Sequence, residues 1–162
     1  MKFSTERLMI RSFQSTDLQD VFHIYNNDDT CKYLLHDNGT HENVNDEFRK
    51  KLNNQALTKE TPLSLVVVCD VKVIGDLSVS YTDMKNTVEI GYRFSNEASG
   101  YGYATEVFRG LVRKLFMEFH VHRIQANLDA RNVASQELCE RSGMRKEAHF
   151  IQDYWNKKRM DR

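Results

Sequence analysis

The chain has 162 residues, 40% of them hydrophobic, with a single proline. That suits one folded domain over residues 1–162 with a sizeable core, and it excludes a disordered chain. Twenty-three basic residues balance 23 acidic ones, so no net charge draws the protein to nucleic acid or to a membrane surface.

Cys31, Cys69 and Cys139 are far apart and form no C-x-x-C pair, and the histidines show no H-E-x-x-H spacing. Neither a disulfide framework nor a metal site is expected. Met1-Lys2-Phe3 runs into charged residues without an apolar signal-peptide core, and no apolar run approaches the roughly 18 residues that span a bilayer. The expected location is the cytoplasm, with no membrane partner.

In chain order, Glu6 to Arg11 reads as a short strand with arginines on one face and Leu8 and Ile10 on the other. Thr16-Asp17-Leu18-Gln19 has the form of a capping box, and Leu18, Val21, Phe22 and Tyr25 follow at helical spacing. The stretch from Asn26 to Glu60 is polar, with a second helix expected over His41 to Leu57. Leu63 to Cys69 is a continuous apolar run, as in a strand buried on both faces. Val73, Gly75, Leu77, Val79 and Tyr81 alternate, as do Val88, Ile90, Tyr92 and Phe94. Three adjacent antiparallel strands follow from this.

The strongest periodicity puts Ala104, Val107, Phe108, Leu111, Val112, Leu115, Phe116 and Phe119 on one helical face. Glu106 and Glu118 read as solvent-side residues of that helix, and His120 and His122 as ordinary polar residues at a strand start. A strand over Arg123 to Asp129, a helix over Val133 to Arg141 and a strand from Met144 to about Phe150 complete the reading. Gly143 stands where a helix C-terminal cap favours a left-handed residue.

The chemistry begins at Ser99-Gly100-Tyr101-Gly102-Tyr103-Ala104-Thr105. Glycines let the backbone approach a ligand, and the first N–H groups of the helix lack intrahelical partners. With the positive end of the helix dipole they form an anion site suited to a pyrophosphate. A Rossmann fingerprint would need glycine or alanine at Thr105, and no Gly-Lys-Ser/Thr follows for a Walker loop. By strand alternation Glu89 faces away from Val88 and Ile90, which makes it either a solvent-facing residue or a candidate base. Asn132 fits a helix N-cap.

Together these residues resemble the GNAT superfamily of N-acetyltransferases, in its RimJ/RimL-type branch. Glu97 to Ala104 is similar to the pyrophosphate signature Gln/Arg-x-x-Gly-x-Gly/Ala. Thr5 to Arg11 resembles the branch's opening strand, and Val88-Glu89-Ile90-Gly91-Tyr92 its fourth strand. Asn132-Val133-Ala134-Ser135 with Ser142-Gly143-Met144 resembles the Asn-x-x-Ser helix and its closure.

The resemblance implies an α/β fold of α+β character: a mixed, mostly antiparallel sheet, flanked by helices and splayed after its fourth strand. It implies acetyl-CoA as co-substrate, with pyrophosphate on Ser99, Gly100, Tyr101, Gly102, Tyr103, Ala104 and Thr105. Pantetheine would pair with the backbone of Tyr92, Arg93 and Phe94 like an added strand, beside Asn132 and Ser135. Glu89 would be the base and Ser135 the acid.

Three residues depart from the pattern. Glu97 replaces Gln/Arg, Tyr101 stands where lysine is frequent, and Cys139 occupies the position of a tyrosine that protonates the leaving thiolate. Cys139 reads instead as a small buried hydrophobe.

The implied acceptor is a protein or peptide N-terminal amine. Polyamines, aminoglycosides and amino-acid-like metabolites stay open, as does a non-catalytic acyl-CoA-binding domain. Acceptor choice is assigned to the region from Asn26 to Glu60, with His36, Asp37, His41 and Glu42 as candidate lining. The working unit is a monomer or homodimer. Tyr154 to Asp161 resembles the hairpin before the family's last strand, so that strand is expected to be missing and the C-terminal edge weak.

Overall fold

The computed structural model describes residues 1–26, 41–129 and 131–147. Within them, one sheet carries its six strands in chain order: β1 (Phe3–Ser4), β2 (Leu8–Ser12), β3 (Leu63–Cys69), β4 (Lys72–Tyr81), β5 (Thr87–Phe94) and β6 (Arg123–Gln125). Neighbours from β1 to β5 are antiparallel, and β6 runs parallel to β5. Four α-helices flank the sheet: α1 (Leu18–Tyr25), α2 (His41–Asn53), α3 (Tyr103–Glu118) and α4 (Val133–Arg141).

Strand β3 is buried on both faces, as its unbroken apolar run requires. On one side Leu65, Val67, Leu77, Val79, Val88 and Ile90 pack against Val107, Phe108, Leu111 and Leu115 of α3 and Leu138 of α4. On the other, Val66, Val68 and Val73 pack against Val21, Ile24 and Tyr25 of α1 and Val44 and Phe48 of α2.

Several boundaries differ from the sequence expectations. The opening strand is a small hairpin: the Thr5 N–H donates to the Leu8 carbonyl, turning the chain at Glu6-Arg7, and β1 pairs with β2. The sheet therefore opens after its fifth strand.

The box before α1 sits earlier than expected. Asp17 accepts from the Gln14 N–H at 2.8 Å and from Arg11 at 2.8 and 2.9 Å, so the carboxylate outcompetes Thr16. Helix α2 ends at Asn53 rather than Leu57, and the Asn54 carbonyl goes to the Ser64 N–H of β3 instead.

A bulge interrupts β4. Val67 pairs with Gly75 and Val68 with Val73, so Ile74 is the extra residue. The insertion inverts the alternation, which sends Val73 to the α1/α2 side and Ile74 to the α3/α4 side. Phe116 is 43% exposed, because 100° per residue carries it past the edge of the buried stripe of α3.

Helix α4 spans the expected residues and ends in a Schellman motif. The Gly143 N–H donates to Glu140 and the Met144 N–H to Cys139, with Gly143 at φ +90°. Met144 to Glu147 is not a strand, and residues 148–150 lie outside the described ones, as does the hairpin sequence at Tyr154 to Asp161.

Candidate active site

The ladder between β5 and β6 is short. Thr87, Val88 and Glu89 pair with Arg123, Ile124 and Gln125, and there it stops. Residues 126–129 leave the sheet, so the expected strand over Arg123 to Asp129 ends after Gln125 for lack of a ladder partner. From Ile90 to Phe94 the β6-side edge of β5 has no strand partner among the described residues. Backbone groups of Tyr92 and Phe94 therefore border an opening suited to an extended amide chain, while Arg93 between them directs its carbonyl towards β4.

At the end of β5, Ser95 caps a short 3-10 turn over Asn96–Ala98. Gly100 and Gly102 follow at φ +87° and +76°, values that side chains rarely tolerate. A Cβ at Gly100 would meet nothing within 4 Å, so the backbone there is bare. The first i→i−4 bond of α3 runs from the Glu106 N–H to the Gly102 carbonyl at 3.1 Å. The N–H groups of Tyr103, Ala104 and Thr105 precede it and point out of the helix start.

Two guanidinium groups flank this loop, and neither was apparent from sequence. Arg7 lies over the Tyr103 ring at 4.5 Å, with Nη2 3.7 Å from where a Gly102 Cβ would stand. Arg141 places Nε and Nη2 3.4 Å from Thr105 Oγ1. Cations here supply what Tyr101 does not, since Tyr101 stacks on Tyr103 with centroids 5.3 Å apart.

Glu106 is not a solvent-side residue. It accepts from Thr5 Oγ1, the Arg7 N–H and Arg7 Nε, tying the β1–β2 turn to α3. Burial works against its charged form, but these donors outweigh it and lower its pKa. Glu97 turns its carboxylate to Lys72 at 2.9 Å and His23 at 3.3 Å. The Lys72 hydrogen bond, then His23, hold it below the ordinary glutamate range.

On the α3/α4 side, the Tyr92 ring meets Phe108 edge-on at 5.5 Å. Its hydroxyl lies 3.6 Å from Cys139 Sγ, and burial raises its pKa. Asn132 Oδ1 accepts from the Ser135 N–H at 3.1 Å, so Asn132 caps α4. Cys139 is buried, and burial raises its thiol pKa.

On the opposite side, Glu89 sits at the last rung before the sheet opens and accepts from Asn127 Nδ2. Between Glu89 and Arg93, a Cβ on Gly91 would come within 2.9 Å of Ser78 Oγ. Arg93 joins a buried cluster in which Nη2 meets Glu47 at 2.9 Å and Nε lies 3.6 Å from Asp76. Lys51 Nζ donates to Asp76 at 2.6 Å and to the Tyr25 hydroxyl, which itself donates to Asp76. Burial pushes Asp76 up, but the charges of Lys51 and Arg93 prevail and lower its pKa.

Of the candidates for the acceptor mouth, His36 and Asp37 lie outside the described residues, as do the side chains of His41 and Glu42. Among the described residues no group of histidines, cysteines and acids could hold a metal ion.

A sheet that opens beside a glycine loop and a bare helix start suits an extended chain that carries an anionic group, and the family match makes this an acyltransferase domain. The acetyltransferase (GNAT) domain model matches residues 7–145, and the chain belongs to that family. An acetyltransferase of the GNAT family from Bacillus anthracis is 25% identical, superposes with a TM-score of 0.88, and is matched over 99% of this chain and 93% of that one. The ribosomal-protein-S5-alanine acetyltransferase from Vibrio fischeri is 20% identical at TM-score 0.79, over 96% and 89% of the two chains. The spermidine N-acetyltransferase from Vibrio cholerae, solved with CoA and spermine, is 18% identical at TM-score 0.80, over 96% and 90%. These last two show the fold alone.

Proposed function

We propose that this protein transfers acetyl from acetyl-CoA to a primary amine, the N-terminal amine of a protein or peptide, by direct attack in a ternary complex. The observation that carries the reading is the end of the β5–β6 ladder at Glu89, with the glycine loop one strand length away. In this reading the pyrophosphate rests on the loop from Ser99 to Thr105, between Arg7 and Arg141. Pantetheine runs along the stretch from Tyr92 through Arg93 to Phe94, pairing with the edge groups of Tyr92 and Phe94, and passes Asn132 and Ser135. Glu89 takes the proton of the attacking amine, directly or through water, and Ser135 protonates the leaving sulfur. The setting is the cytoplasm, as a monomer or homodimer without nucleic acid; no helix among the described residues is long and apolar enough to cross a membrane.

Charge on the acceptor side favours a singly charged amine over a polyamine. Asp76 and Glu47 are already paired with Lys51 and Arg93, and among the described residues Glu89 meets Asn127 and no cation. A polycation is better served by several unneutralised acids. The spermidine enzyme's matching fold keeps small polyamines as the second reading.

Calorimetric titration with acetyl-CoA, and with NAD as control, tests the first step. Selective binding of acetyl-CoA is expected, followed by thiol release with N-terminal peptides in preference to spermidine and aminoglycosides. Binding without release for any amine would leave an acyl-CoA-binding domain, and no binding would remove the enzyme reading.

A further inference from the structure

Resting on that acetyl-transfer reading, we infer that Asn127 is the positioning residue for the base. Its amide holds one oxygen of Glu89 and leaves the other for the proton of the attacking amine. Strand β6 stops pairing with β5 at Gln125, yet the chain keeps its alternation beyond that rung. Ile124, Ala126 and Leu128 all pack on the α3/α4 core, which puts Asn127 on the opposite side of the sheet, with Glu89. There Asn127 Nδ2 donates to Glu89 Oε1, across the point where the two strands part. An ionised carboxylate only accepts, so the nitrogen end of the amide is the end that meets it.

A positioning residue must itself be held, and this one is pinned on both sides. Before it, Gln125 pairs with Glu89 in the ladder. After it, the Asp129 carboxylate accepts from the Arg131 N–H at 2.9 Å and from the Arg131 guanidinium at 2.9 and 2.7 Å. The Asp129 carbonyl accepts from the Asn132 N–H at 2.9 Å, which ties the segment to the start of α4.

Chemistry gives the reason for the contact. Glu89 is half-buried on a flexible stem, and among the described residues Asn127 is its one hydrogen-bond partner. A base must come within roughly 2.6–3.2 Å of the heavy atom whose proton it takes. A misplacement of about 1 Å can cost about 10²-fold in rate. With Oε1 engaged, Oε2 is the oxygen that remains. As the amine lone pair forms the C–N bond, the N–H bond breaks, its electron pair stays on nitrogen and the proton passes to Oε2, directly or through water. The C–S bond breaks with its pair on sulfur. The proton that sulfur gains comes from water by way of Ser135, and Glu89 returns its own to water, so protons balance over the cycle. The hydrogen bond lies at the exposed mouth of the opening and adds little to stability, so its loss is felt in rate rather than in folding.

The test is a double-mutant cycle. Asn127→Ala and Asn127→Asp are each made in wild type and in Glu89→Gln, and assayed with acetyl-CoA and a peptide bearing a free N-terminal amine. In wild type both substitutions are expected to lower kcat about 10- to 10²-fold, Asn127→Asp the more, because its carboxylate repels that of Glu89. KM for acetyl-CoA stays within about twofold, and the thermal midpoint within about 2 °C. In the Glu89→Gln background the same substitutions change kcat by less than about twofold, because no base is left to position. A loss by the same factor in both backgrounds would show Asn127 acting apart from Glu89 and overturn the inference. So would an unchanged kcat, or a fall in thermal midpoint that accounts for the lost activity. An unchanged rate in Glu89→Gln, with wild type active, would remove Glu89 as the base and the role of Asn127 with it. If wild type releases no CoA with either the peptide or spermidine, the acetyl-transfer reading itself fails, and the positioning role falls too.

Discussion

Tyr92 and Arg93 are neighbours on β5, yet they look into different kinds of interior. Tyr92 enters an apolar layer built from α3 and α4, where its one hydroxyl is the polar exception. Arg93 enters a layer under α1 and α2 where Lys51, Asp76, Glu47 and the Tyr25 hydroxyl form a charge network around it. The first layer is held by area removed from water, which is non-directional and tolerates small shifts. The second is held by fixed distances and directions, and it fails if one member is lost. A sheet that must open along one edge gains from this division. The ionic layer fixes the strand from which the gap is measured, while the apolar layer leaves a face that tolerates small shifts beside it.

Loss of chemistry without loss of fold would separate the two sides most sharply. Glu89→Gln is expected to lower kcat by about 10²–10⁴, with acetyl-CoA affinity retained, read by thiol release and calorimetry. An unchanged rate would remove Glu89 from the reaction.

Next comes Asp76→Asn, which leaves the buried cations Lys51 and Arg93 sharing the carboxylate of Glu47 and should cost about 3–5 kcal/mol in urea unfolding. This layer also carries a pH signature. Asp76 is held below its ordinary value when folded, so an unfolded chain binds the proton first as pH falls. The stabilisation is complete above about pH 4 and is lost as pH drops through the folded-state value. Asp76→Asn should flatten that acid limb, and an unaltered limb would mean the cluster is not what acid breaks.

On the apolar side, Leu111→Ala should cost about 2–5 kcal/mol with the acid limb of wild type preserved. The smallest effect is expected from Asn132→Ala, about 0.5–2 kcal/mol for a lost cap. A far larger fall in acetyl-CoA affinity than in stability would show Asn132 touching the co-substrate as well.

The sequence was most legible where the signal is local. The stripe on α3, the continuous run of β3, the glycines at 100 and 102 and the span of α4 each follow from residues a turn or a pleat apart. What stayed hidden depends on partners distant in the chain. Glu106 reads as solvent-facing until Thr5 and Arg7 are brought to it from the opening hairpin. Arg7 and Arg141 flank the glycine loop only through tertiary contact, as Asn127 meets Glu89. The Ile74 bulge has no local marker, since Val73 and Ile74 suit either face equally. Tyr92 was legible as a strand residue, but the meeting of its hydroxyl with Cys139 depends on where α4 lies.

That bulge has a consequence for how the loop is placed. Ile74 is the unmatched residue of β4, and its carbonyl accepts the Ser95 N–H at 2.7 Å. Beside it, a Cβ on Gly75 would come within 2.6 Å of the Arg93 carbonyl, so the two chains are in contact at that point. The surplus residue thus acts as a gauge block, setting where β5 hands over to the turn that carries the glycines. Removing it would shift that handover by one residue, about 3.3 Å, and move the glycine loop away from the end of the open β5 edge while every residue of the loop remained present.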